Sequence, residues 1–138
     1  MIAPYLDSSA IIYLVEAVAA AQHLVAQHVA AAEGAANGRI ITSELARLEC
    51  RVKPMRTGDA PLLATYDAFF TRARLQLVII DAAAIDLATE LRARYGFKTP
   101  DAIHLASAIV AGADVFITGD ASLARCKEIA VEVVSPMR

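Results

Sequence analysis

At 138 residues, with 57% hydrophobic and only 20% charged residues, the chain is long enough for one domain with a real core and lies outside the disordered class. Its net charge of −2 excludes a global basic field for nucleic acid, so an RNA or DNA partner would need local arginines or a bound metal. Cys50 and Cys126 are isolated, without metal-type spacing, which points to a reducing compartment.

Short β-rich runs alternate with longer helical ones along the chain. A strand is predicted over residues 3–7, ending on Asp7, followed by a helix over 9–16. The opening Met1-Ile2-Ala3-Pro4-Tyr5 lacks the basic start of a signal peptide. The alanine-rich stretch 17–36 is interrupted by Gln22, His23, Gln27, His28 and Glu33, so it reads as a surface-capable helix over 18–35 and not as a membrane span. The expected location is the cytoplasm, with no membrane partner. Next come a strand over 39–42, helices over 43–54 and 59–74, and a strand over 75–80. Helices over 82–95 and 100–111 lead to a strand over 114–118, a helix over 120–127 and a last strand over 129–134. The breaks at 34–38, 54–61, 96–100 and Gly112 are too short for a linker, so residues 1–138 are expected to be a single domain. This alternation predicts an α/β fold, a parallel sheet with helices on both faces. Leu77-Val78-Ile79-Ile80 and Val115-Phe116-Ile117 are continuous apolar runs, as expected of strands buried on both faces.

Four acids stand where such a fold could gather them. Asp7 sits at a strand-to-helix junction before Ser8 and Ser9, and parallel folds bind ligands beyond the carboxyl ends of strands. It also reads as a helix N-cap, although either serine could serve there. Glu49 lies on helix 43–54. At about 100° per residue, Leu45, Leu48 and Val52 mark the expected buried stripe, Glu49 its edge, and Glu44, Arg47 and Arg51 the far side. A carboxylate facing the sheet is costly unless paired, and an arginine partner would be the plainest explanation. Asp101 follows Thr99, the expected N-cap, and Pro100, the expected first helical residue. The helix dipole accounts for an Asp there, but the helix beyond it is apolar nearly all round, so the acid at its mouth looks inward. His104, one turn on, reads as a packed core histidine. Asp120 follows a strand through Thr118 and Gly119, and by itself it reads as an N-cap. Thr118 offers a hydroxyl at the strand end. Carboxylates gathered at one sheet end repel, and a hard divalent cation relieves the repulsion. The pattern therefore points to metal-dependent chemistry on phosphate.

Four segments together resemble the PIN domain, specifically the VapC-type toxins of toxin–antitoxin pairs. They are Tyr5-Leu6-Asp7-Ser8-Ser9-Ala10, Thr42-Ser43-Glu44-Leu45-Ala46-Arg47-Leu48-Glu49, Thr99-Pro100-Asp101-Ala102-Ile103-His104-Leu105-Ala106-Ser107-Ala108 and Ala113-Asp114-Val115-Phe116-Ile117-Thr118-Gly119-Asp120. The resemblance implies a three-layer α/β/α sandwich with a five-stranded parallel sheet, and an endoribonuclease using one or two Mg2+ or Mn2+ ions. It makes Asp7, Glu49, Asp101 and Asp120 the acidic quartet, with Asp7 and Asp101 as the main direct ligands. Ser8, Ser9 and Thr118 match hydroxyl positions near the metal. Asp114 is expected at the opposite sheet end. The implied partners are an RNA substrate, a small antitoxin and a second copy of the chain. Arg47, Arg51, Lys53 and Arg56 form a basic run that either guides RNA phosphates or is ordinary solvated charge. Tyr66, Phe69 and Phe70 are expected to be core, with part of the cluster left for a partner.

Three rivals share parts of this pattern. A PIN-fold nuclease outside toxin–antitoxin systems would use the same residues. A phosphoacceptor receiver domain would place its aspartate at Asp81, but needs an acidic pair after the first strand and a lysine after the last. A haloacid-dehalogenase-like phosphatase would need its second aspartate at position 9, which is Ser9.

Overall fold

Pro4–Leu6 forms strand β1, three residues that are all buried because the strand lies at the centre of the sheet. The computed structural model describes residues 2–136. After β1 come α1 (Ser8–Val15), α2 (Ala19–Gly34), β2 (Ile40–Ser43), α3 (Glu44–Thr57) and α4 (Ala60–Phe70). Then follow β3 (Leu75–Val78), α5 (Ala82–Tyr95), α6 (Thr99–Val110), β4 (Val115–Thr118), a single 3-10 turn at Ala121–Arg125 and β5 (Val131–Val133). All strand pairs are parallel, in the order β3-β2-β1-β4-β5. The chain winds outward from β1 to β3, then returns to the other side of β1 for β4. That reversal opens a crevice at the carboxyl ends of β1 and β4, where open α/β sheets bind ligands.

Alternation along the strands divides the core. Tyr5, Ile41 and Phe116 face the layer of α5 and α6, with the Tyr5 and Phe116 rings stacked at 5.2 Å. Leu6, Ile40 and Ile117 face the layer of α1 to α4, with Ile11, Val25 and Tyr66. The result is the α/β/α sandwich with a five-stranded parallel sheet that the sequence led us to expect. Asp114 lies at the opposite sheet end, accepting from the Ala3 amide at 3.2 Å.

Several boundaries move, each for a local reason. The expected helix over 59–74 stops at Phe70, and the expected helix over 120–127 is only the 3-10 turn. α3 runs through Pro54 to Thr57, closed by Gly58 at φ 70°. α6 starts at Thr99 with Lys98 before it, so Thr99 is the first helical residue and not the cap. The run Leu77-Val78-Ile79-Ile80 is not buried on both faces. β3 is an edge strand that ends at Val78, and Ile79 is 74% exposed. The stripe on α3 is also different. Its buried residues are Ala46, Cys50 and Pro54, while Leu48 and Val52 are 57% and 45% exposed. Tyr66, Phe69 and Phe70 are buried. Among the described residues no single helix is long and apolar enough to cross a membrane; α1 and α2 pass that test only together, bent by 103°.

Candidate active site

The end of β1 delivers Asp7 directly into the crevice. Its backbone amide donates to Ile117 O across to β4, and its side chain caps α1 by accepting from the Ala10 amide at 3.0 Å. Ser9 Oγ donates to the same oxygen, Asp7 Oδ1, at 2.6 Å and accepts from the Gly119 amide at 2.9 Å. One serine thus pins the loop after β4 to the acid after β1. Both bonds use Oδ1, which leaves Oδ2 as the oxygen for the crevice.

Asp120 stands across from Asp7, held by its own turn. Its amide donates to Thr118 Oγ1 at 3.0 Å, and its Oδ1 accepts from the Ser122 amide at 2.9 Å. Asp101 enters from the first turn of α6. Glu49 enters from α3 beside the buried Cys50, and Ser8 Oγ donates to its Oε1 at 2.5 Å. His104 Nε2 lies 2.7 Å from the same oxygen, and His104 Nδ1 lies 2.7 Å from the Tyr5 hydroxyl. Asp7, Ser8, Ser9, Glu49, Asp101, His104 and Asp120 line a cavity of about 220 Å3.

The lining contains no lysine or arginine, so the four acids share one space with His104 as its only basic group. Burial raises the Asp101 pKa, and repulsion from Asp120, Asp7 and Glu49 adds to the rise against the attraction of His104. Burial also works against a charged Glu49, but hydrogen bonds from His104 and Ser8 outweigh it and the pKa falls. The two carboxyls are therefore tuned apart: Glu49 is held ionised, while Asp101 carries the strain of its neighbours.

A family model for the PIN domain matches residues 5–129. The chain belongs to the PIN domain family. Its fold is that of several solved toxin–antitoxin proteins. VapBC2 from Rickettsia felis, bound to a DNA fragment from its promoter, aligns with a TM-score of 0.75 at 16% identity, over 95% of this chain and 98% of that one. DNA-bound VapBC from Salmonella typhimurium gives 0.71 at 19% identity, over 96% and 98%. VapC20 from Mycobacterium tuberculosis, a sarcin-ricin loop cleaving toxin, gives 0.64 at 16% identity, over 82% and 86%. No curated protein matches the chain significantly by sequence.

In this PIN domain the four acids expected from sequence come together, and so do Ser8 and Ser9. Thr118 does not line the cavity; it is fully buried and holds the Asp120 turn. The basic run lies elsewhere. Arg47 pairs with Glu44 at 2.6 Å and Arg51 with Asp67 at 3.4 Å, on the outer side of α3. The partner of Glu49 is His104 and not an arginine. Sequence reasoning gave neither His104 nor Tyr5, which stands behind His104 and outside the lining, a part in the site. His104 is a buried core histidine, as its position suggested, and it is also a wall of the cavity.

The donor set suits a hard cation: carboxylate oxygens with two serine hydroxyls and no thiol in the lining. Among the described residues no three His, Cys, Asp or Glu side chains are drawn together closely enough to hold a metal ion as they stand. What fits a cation is the chemistry of the oxygens and the uncompensated charge behind the raised Asp101.

Proposed function

We propose that this PIN domain is a Mg2+- or Mn2+-dependent endoribonuclease and the toxin of a VapBC-type pair. One observation carries the reading: Asp7, Glu49, Asp101 and Asp120 meet in one cavity at the sheet's switch point, with no lysine or arginine in the lining. Asp7 and Asp101 would be the principal ligands, and Glu49 and Asp120 would complete the site. A bound divalent ion supplies Lewis-acid polarisation of a phosphodiester and activation of water. The chain's own share is orientation. Ser9 holds Asp7 against Gly119, Thr118 holds the Asp120 turn, and Ser8 fixes Glu49 on its Oε1 side. Glu49 Oε2 would then be free to orient a water nucleophile. Attack of that water in line would leave a 3′-hydroxyl and a 5′-phosphate.

The likeness to solved toxin–antitoxin complexes supports a small antitoxin as partner and RNA as substrate. The exposed Leu48, Val52 and Met55 on α3 supply an apolar ridge for a protein partner, an antitoxin or a second copy. Lys53 and Arg56, exposed at the end of α3, are the cations of the basic run most open to RNA phosphate. Buried, unpaired Cys50 and Cys126 suit the cytoplasm. The receiver reading loses its main support, because Asp81 caps α5 through the Ala84 amide and stands beyond an edge strand, outside the cavity.

The test is purified, partner-free protein incubated with total RNA, with Mg2+ or with chelator, beside Asp7→Asn. Cleavage only by the wild type with Mg2+ supports the reading. Cleavage in chelator, or by the folded variant at the wild-type rate, overturns it. Growth arrest on expression, relieved by a small co-encoded protein, separates a toxin from another RNA-processing PIN nuclease.

A further inference from the structure

One buried chain of polar groups runs from the middle of the sheet to the cavity. Tyr5 on β1 is fully buried, and its hydroxyl lies 2.9 Å from Ser43 Oγ at the end of β2 and 2.7 Å from His104 Nδ1 on α6. His104 is 3% exposed. Its other nitrogen, Nε2, lies 2.7 Å from Glu49 Oε1 on α3, which also accepts from Ser8 Oγ on α1. Five elements of the fold thus contribute to one hydrogen-bond network that ends on Glu49 Oε1.

A carboxylate only accepts, so Nε2 must carry the proton that faces Glu49. On the far side of the ring, Nδ1 is held by the Tyr5 hydroxyl. That hydroxyl also donates to Ser43 Oγ, which accepts from the Ala46 amide at 3.4 Å. Among the described residues no buried side-chain nitrogen or oxygen lacks a partner. Both bonds to Glu49 use Oε1, which leaves Oε2 for the cavity.

We propose that Tyr5 and His104 are positioning residues: Tyr5 holds the His104 ring through Nδ1, and His104 anchors Glu49 Oε1, so that Oε2 is the oxygen left for the ion and its substrate. This rests on the proposed metal-dependent activity for its consequence, but not for its geometry. His104 sits one turn after Asp101 on α6, so the same helix sets an acid directly and orients another through its imidazole. Outer groups that orient metal-site residues carry 10–100-fold of metal affinity in general.

The test uses the metal-free protein first. Nitrogen-15 NMR of the histidine ring should show a proton on His104 Nε2 in the wild type and changed ring-nitrogen shifts for His104 in Tyr5→Phe. A wild type without a proton on Nε2, or Tyr5→Phe with an unchanged ring pattern, overturns the proposal. Mn2+ affinity by calorimetry comes second. His104→Leu should weaken it by about 10–100-fold, and His104→Gln, whose amide can still donate to Glu49, should restore it to within a few-fold of wild type. A folded His104→Leu with wild-type affinity, or no rescue by His104→Gln, overturns the positioning role, since a purely structural histidine would not distinguish the two. If the wild type binds no Mn2+, the proposed function fails, while the positioning is still decided by the ring pattern.

Discussion

Asp7→Asn separates folding from function at one atom. In the folded chain Asp7 Oδ1 accepts from the Ala10 amide at 3.0 Å and from Ser9 Oγ at 2.6 Å, and an amide oxygen keeps both roles. Asn and Asp are equally good N-caps, so metal-free stability should stay within about 0.5 kcal/mol of wild type, whereas Asp7→Ala should lose about 1 kcal/mol. The substitution changes Oδ2, which becomes a donor where an ion needs an acceptor. At Mn2+ one hundred times its dissociation constant, the wild type should gain about 2.7 kcal/mol. For a chain of this length that is a rise of roughly 8–10 °C in Tm. If Asp7→Asn weakens binding about 100-fold, the gain at the same Mn2+ falls to about 0.4 kcal/mol, a shift of roughly 1–2 °C. Thermal unfolding with and without Mn2+, beside RNA cleavage, reads both halves. An Asp7→Asn protein with the full Mn2+ shift, or with wild-type cleavage, would refute the placement of Oδ2 at the metal site.

Four other perturbations test the same structure. Glu49→Gln should lose most RNA cleavage, whereas Glu44→Gln should leave it intact and cost at most about 0.5 kcal/mol, because Glu44 is held in a surface pair with Arg47; equal losses would place both on the cavity. A Cβ at Gly119 would lie 2.4 Å from the Tyr13 hydroxyl, so Gly119→Ala should cost about 1–3 kcal/mol in urea unfolding, and Tyr13→Ala in the same chain should recover part of it. Ala17 is left-handed at φ 53°, so Ala17→Gly should raise stability by about 1 kcal/mol; a lower Tm would contradict that strain. Burial pushes the Cys50 thiol from its ordinary 9.0 up to about 12. The folded pKa is the higher one, so this contribution is full below about pH 9 and is lost as pH climbs from there towards 12. Iodoacetamide should therefore label Cys50 slowly at pH 8 in the native protein and rapidly in urea, and a native rate equal to that in urea would contradict the burial.

The fold was legible wherever one physical cause acted alone. Alternation of short apolar runs with helices dictates a parallel sheet, and β1, β2 and β4 appear where that alternation put them. The α3 stripe misled because large apolar residues do not always mark the core. Leu48 and Val52 face outward, and the helix packs through Ala46, Cys50 and Pro54, small residues that allow close approach to α1. A stripe kept for a partner and a stripe kept for the core have the same period, so sequence alone cannot separate them. Glu49 nevertheless reaches the cavity, because it flanks Cys50. Ile79 erred for a related reason: an apolar run shows β-propensity, but the edge position of β3 is a property of topology.

Within the site, Asp7, Asp101 and Asp120 were legible because each has a local signature, a strand end or a first helical turn. Those signatures also fit helix caps, and Asp7 and Asp120 are caps in fact. Capping and ligation are compatible, since a cap consumes one carboxylate oxygen and leaves the other. His104 had no such signature. Its spacing after Asp101 puts it one turn into α6, but its meaning comes from Tyr5 on β1 and Glu49 on α3, residues 99 and 55 positions away. A buried histidine between a phenol and a carboxylate costs desolvation that a core leucine would avoid. Replacement by leucine should therefore spare or even raise stability in a chain that also lacks the Glu49 charge, and harm it where that charge remains. Comparing His104→Leu in wild-type and Glu49→Gln backgrounds by urea unfolding measures that coupling directly. Equal effects in the two backgrounds would mean that His104 fills space beside Glu49 without holding it.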